Sequence, residues 1–131
     1  MIKLNVKLID NALKTIAMNI RAQIRDNSRK GVDVNGNPFH KYSTTYAEWK
    51  LERVGKNSPV NLMLHGQMMR SIVVNKGSGG YEIKFADASM AERAWWHHTG
   101  TGQPKRPFFG VSDANATRIT EKAWPKEVLT K

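Results

Sequence analysis

The chain has 131 residues and 14.8 kDa, 40% hydrophobic and 24% charged, a mixture that specifies one globular domain over 1–131 and excludes a disordered, collagen-like or coiled-coil polypeptide. It contains no cysteine, which excludes disulfides, thiolate nucleophiles and Cys-ligated zinc. Twenty-one Lys and Arg against eleven Asp and Glu give a formal charge of +10, an excess that draws the protein toward polyanions.

The first ten residues, MIKLNVKLID, alternate rather than forming the apolar block of a signal peptide. No run approaches the roughly 20 apolar residues that cross a bilayer, so synthesis in the cytoplasm and no membrane partner are expected. Ile2, Leu4, Val6 and Leu8 have the period of a strand with one covered face. From Asp10, read as an N-cap, the apolar residues Leu13, Ile16, Ala17, Ile20 and Ile24 form one stripe, which predicts a helix from 10 to 30 ended by Gly31.

Lys14, Arg21, Arg25 and Arg29 form a second stripe beside the apolar one. Like charges four residues apart cost an isolated helix a few tenths of a kcal/mol, so this ladder is either a solvated face or a contact for phosphate or an acidic partner. Because Arg21 and Arg25 lie off the apolar face, Arg21→Glu with Arg25→Glu is expected to leave folding nearly intact. Residues 1–30 hold seven basic and two acidic groups and residues 101–131 hold six and three, so the two ends carry the field.

Gly31, Asn35, Gly36, Asn37 and Pro38 make 31–43 an aperiodic loop, long enough to suggest a task. A short helix is predicted over 44–53 inside an excursion that lasts to residue 59. A helical turn near 66–71 then runs into a strand; KGSGG at 76–80 turns the chain, and Tyr81, Ile83 and Phe85 form the return strand. Residues 88–98 have helical character, and HHTGTGQPKRP opens a second loop over 97–107. Phe108, Phe109 and Val111 predict a final short strand, and Ser112 caps a terminal helix over 114–123 stopped by Pro125. The expected fold is α+β, a small, mostly antiparallel sheet packed against a long N-terminal helix and a C-terminal helix, with two long loops.

Catalytic chemistry is poorly supported. His40, His65, His97 and His98 contain no pair at i, i+4, and His97 and His98, read as extended, would point opposite ways, so no metal site is expected. GKNS at 55–58 and GSGG at 77–80 lack the context of a phosphate loop and read as turns. A hydrolase built from Ser71 or Ser112 with His97 or His98 and Asp87 or Asp113 has no nucleophile elbow to support it. Neither a catalytic residue nor a cofactor is expected. Trp95 and Trp96, with His97, His98, Phe108 and Phe109, read either as a base-stacking platform or as core anchors flanking a loop.

The order GNPFHKYSTTYAEWK, NLMLHGQMMRSI, a glycine hairpin and AWWHHTGTGQPKRPFFGVSD before a closing helix resembles the virion-morphogenesis or tail-completion family of tailed bacteriophages, the Mu G-like head-to-tail joining proteins. Gly36, Phe39, Ser43, Leu62, Gly66, Met68, Ser71, Ile72, His98, Gly100, Arg106, Pro107, Phe108 and Gly110 stand at the family's motif positions. His65 replaces a Thr, and Met68 and Phe109 each replace a Leu. In physical terms Gly66 permits a bend that turns Met68, Met69 and Ile72 inward, and Ser71 belongs to the same turn. Pro107 fixes the chain for Phe108 to insert, Gly110 admits a close backbone approach, and Arg106 meets a buried carboxylate or a neighbour's carbonyls.

The resemblance implies a structural, non-enzymatic protein of the virion neck or head-proximal tail end, assembled in the host cytoplasm as a homo-oligomeric ring around the DNA channel. Six subunits is the count that the tail's symmetry suggests, with one patch pair repeated around the axis. Head-closure or connector proteins and tail terminator or tube proteins are the implied partners. Loops 31–59 and 97–107 would be the arms, with Phe39, Tyr42, His98, Gly100, Arg106, Pro107 and Phe108 as interface residues and anchors. The basic stripe would face duplex DNA, bound without sequence reading, or an adjoining ring. The alternative is a free-standing basic nucleic-acid-binding module.

Overall fold

The computed structural model describes residues 3–39, 67–101, 105–125 and 129–130. Strand β1 is only Lys3–Leu4, and helix α1 runs over Val6–Lys30. The expected strand over 2–8 is cut short because Asn5, not Asp10, caps the helix: its side chain accepts the Leu8 N–H at 3.1 Å. Val6, Ile9, Leu13 and Ile16 also satisfy the helical period, so the alternation of the first residues was compatible with either element. Gly31, at φ 78°, ends α1 by returning its N–H to the carbonyls of Asn27 and Ser28, as its position predicts.

The chain beyond Gly31 is a folded turn over its described part. The Asp33 carboxylate accepts the N–H groups of Asn35 and Asn37, Val32 bridges Pro38, and the Phe39 N–H returns to the Gly31 carbonyl at 2.9 Å. The helix expected over 44–53 lies outside the described residues, as do Tyr42, Ser43, Leu62 and Gly66.

Helix α2 (Gln67–Arg70) leads through Ser71 into β2 (Ile72–Gly77), which pairs antiparallel with β3 (Gly80–Phe85) from Ile72↔Phe85 to Gly77↔Gly80. This is the predicted hairpin. Tyr81, Ile83 and Phe85 share the covered face, while Glu82 and Lys84 are exposed. Helix α3 (Ala88–Thr99) starts at Asp87, whose carboxylate accepts the Ser89 and Met90 N–H groups, and ends on Gly100 at φ 79°. The second loop therefore begins three residues later than expected, and His97 and His98 are helical rather than extended.

Residues 105–108 have no regular structure and 109–110 bend, Gly110 N–H returning to the Phe108 carbonyl, so the expected strand is absent. Pro107 has no N–H, and the neighbouring polar groups are taken elsewhere: Arg106 N–H by the His97 carbonyl, Pro107 C=O by Val34 N–H and Phe109 N–H by the His98 ring. Helix α4 (Asp113–Ala123) is capped by Ser112 through the Asn115 N–H, as predicted. After it, β4 (Leu129–Thr130), which the sequence reading lacked, pairs with β1.

The fold is α+β, with α1 packed against the hairpin and against α4. Ile24, Phe39, Met68, Met69, Ile72, Ala94 and Phe108 form the buried core, and Ile20, Ile83, Phe85, Met90, Phe109 and Val111 pack on it.

Candidate functional site

The basic stripe on α1 divides by what its members touch. Lys14 and Arg29 are exposed and Arg21 is half-buried. Arg25 turns inward: its Nε donates to the Met69 carbonyl at 3.1 Å and an Nη to the Ile72 carbonyl at 3.0 Å. Burial, reinforced by the Arg21 charge, lowers its pKa. Arg25 therefore ties α1 to the turn between α2 and β2, so of the two residues expected to be replaceable without loss of folding, Arg21 and Arg25, the second is packed against the fold. Long side chains beside an apolar face can reach over it, and Arg25 meets carbonyls left open where α2 ends.

Several of the described residues that carry the resemblance meet at one joint. Phe108 is 1% exposed and stands edge-on to Phe85, His98 and Phe109, with ring centroids 6.4, 6.1 and 6.2 Å away. Phe39 and Arg106 are buried, Pro107 is half-buried, and Pro107 accepts from Val34, so the 31–39 turn is fastened to the same place. Gly100 is required there: a Cβ would lie 2.9 Å from Lys105 Cβ and 3.0 Å from its backbone, in a left-handed conformation that side chains disfavour. The close approach at Gly110 is to a side chain rather than a backbone, Val34 Cγ1 at 3.4 Å. Ser71 closes the other end of the joint, accepting Ala86 N–H on its carbonyl and Asp87 N–H on its hydroxyl.

These contacts bear on the catalytic readings. The hydroxyls of Ser71 and Ser112 both accept backbone N–H groups, from Asp87 and Asn115. His98 accepts on Nδ1 from Phe109, whereas His97 Nδ1 is buried without a hydrogen-bond partner. Desolvation lowers the pKa of both rings, helped by Arg106 and Arg93 at His97 and by Lys105 at His98. Among the described residues no group of three or more acidic or histidine side chains could hold a metal ion.

Two features escaped the sequence reading. Asp10 accepts from Lys76 at 2.8 Å and from the Tyr81 hydroxyl at 3.1 Å, latching the first turns of α1 to the hairpin tip. The Lys76 contact is the main cause that lowers the Asp10 pKa, and Asp10 in turn raises that of Lys76. No local motif announces a contact across 66 or more residues. Trp95 and Trp96 are 62% and 40% exposed, so they are not core anchors, while buried Phe108 and half-buried Phe109 and His98 leave no six-membered stacking platform.

The chain matches no family model, no curated protein and no solved structure.

Proposed function

We propose that the protein is a non-catalytic building block of a tailed-phage neck, a ring-forming subunit that completes the tail or joins it to the head around the DNA channel. The observation that supports this reading best is the convergence of seven of the residues carrying the resemblance. Ser71 and Ile72 come from one segment and His98, Gly100, Arg106, Pro107 and Phe108 from a second, and the two serve one packed joint. Such residues fix the shape of a subunit, which is what a geometric role demands, and the Ser71 and His98 side chains accept backbone N–H groups of the same joint. Six copies, head-closure and tail-end proteins as neighbours, and a place in the virion neck are parts of the same proposal.

The test is complementation in a host producing particles that lack the chain. Unjoined heads and tails are expected without it and joined particles when it is restored. Normal joined particles in its complete absence would overturn the proposal, and a substrate turned over by the purified chain would overturn its non-catalytic part.

A further inference from the structure

Seven residues advance an α-helix by about 10.5 Å and return to within about 20° of the same direction. Lys7, Lys14 and Arg21 on α1 therefore form a nearly straight row about 21 Å long. Lys7 and Lys14 are exposed and Arg21 is half-buried. Of the two carboxylates on the same helix, Asp10 lies one turn from Lys7 and Lys14 and feels the Lys14 charge, yet both carboxylates have other partners. Asp26 pairs with Lys30 at 2.9 Å, about 120° round the helix from the row, and the two oxygens of Asp10 are taken by Lys76 and Tyr81. Behind the row, the carbonyls of Met69 and Ile72 pin the Arg25 guanidinium, so its charge cannot swing away from Arg21.

We infer that the row Lys7, Lys14 and Arg21, backed by the fixed charge of Arg25, is a contact for the phosphate backbone of duplex nucleic acid, bound without regard to sequence. A duplex carries one negative charge per about 1.7 Å of axis, so an evenly spaced row of one sign meets phosphate wherever it is laid. Two of the three cations are lysines, flexible point charges without the planar fork that selects an individual carboxylate of an acidic protein. Met18 is the only large apolar residue in the row's sector, too little to anchor α1 in a lipid surface. No aromatic ring stands in the row to stack on unpaired bases. Lys7 enters the surface from outside the stripe that sequence spacing marked, and Arg25 leaves it.

The biological setting rests on the neck reading, whereas the binding does not, so the two can fail separately. A fluorescent 30-base-pair duplex titrated with the full chain at 50 to 300 mM KCl reads both affinity and its salt slope. Two unrelated sequences are expected to bind equally. Lys7→Gln with Lys14→Gln should reduce the slope of log affinity against log salt by about 1.8, and adding Arg21→Gln by about 0.9 more. Lys30→Gln, at a residue already paired with Asp26, should leave the slope unchanged. The double variant alters only exposed side chains, so an unchanged thermal melt keeps the comparison valid if the triple variant unfolds. An unaltered slope in the double variant, or tighter binding to polyglutamate or phosphatidylglycerol vesicles than to duplex at equal salt, overturns the inference.

Discussion

From Ile20 to Ser28, α1 is fastened on several sides: Ile24, Asn27 and Ser28 are buried, Gln23 meets Arg118 of α4, and Arg25 holds the turn before the hairpin. From Val6 to Met18 the same helix buries only Ala12 and Ala17, while Val6, Leu8, Leu13 and Met18 stay exposed and the Asp10 latch provides the polar tie. Both halves carry apolar residues at helical spacing, so periodicity gives the direction of a face and not how much of its length is covered. A helix of 25 residues is about 37 Å long, and a hairpin of six-residue strands and an eleven-residue helix do not span it.

The contrast can be broken by substitution. Ile24→Ala should cost about 2–5 kcal/mol in urea unfolding, whereas Leu13→Ala, at 39% exposure, should cost less than about 1 kcal/mol. Equal losses would mean that the two halves are equally covered. Within the basic stripe, Arg25→Met should cost about 2–3 kcal/mol by leaving two carbonyls unpaired, and Lys14→Gln less than about 0.5 kcal/mol.

Acidity sharpens the same division. The His97 pKa lies below its ordinary 6.5 in the folded chain, so the unfolded chain binds more protons between the folded value and 6.5. Stability from this ring is complete above pH 6.5 and falls as pH drops through the folded value; in His97→Gln that part of the pH profile should flatten. The latch of the N-terminal half gives the smallest effect. The excess stability of wild type over Asp10→Asn should be present at neutral pH, decline as pH falls below 3.8 through the lowered Asp10 value, and decline again as pH rises past 10.5 through the raised Lys76 value. A difference independent of pH would mean that Asp10 acts through packing rather than charge.

Local chemistry made much of the fold legible. Gly31, Ser112 and the hairpin glycines are caps and turns whose signals lie within four or five residues, and the elements they bound were readable. What escaped depended on distant partners. β4 exists because it meets β1, Arg25 faces inward because α2 ends beside it, and residues 105–108 give their hydrogen bonds to α3 and to the 31–39 turn instead of a strand. The candidate site followed the same rule: spacing marked the basic stripe, while only the packed structure separates Arg25, which holds the fold, from Lys14, which faces solvent.

Imaging purified tailed particles with a gold-labelled copy of the chain tests the central claim most directly, because the proposed role is a position in an assembly. The account predicts label confined to the head–tail junction at a fixed copy number. Particles that are joined and complete but carry no label there would contradict it.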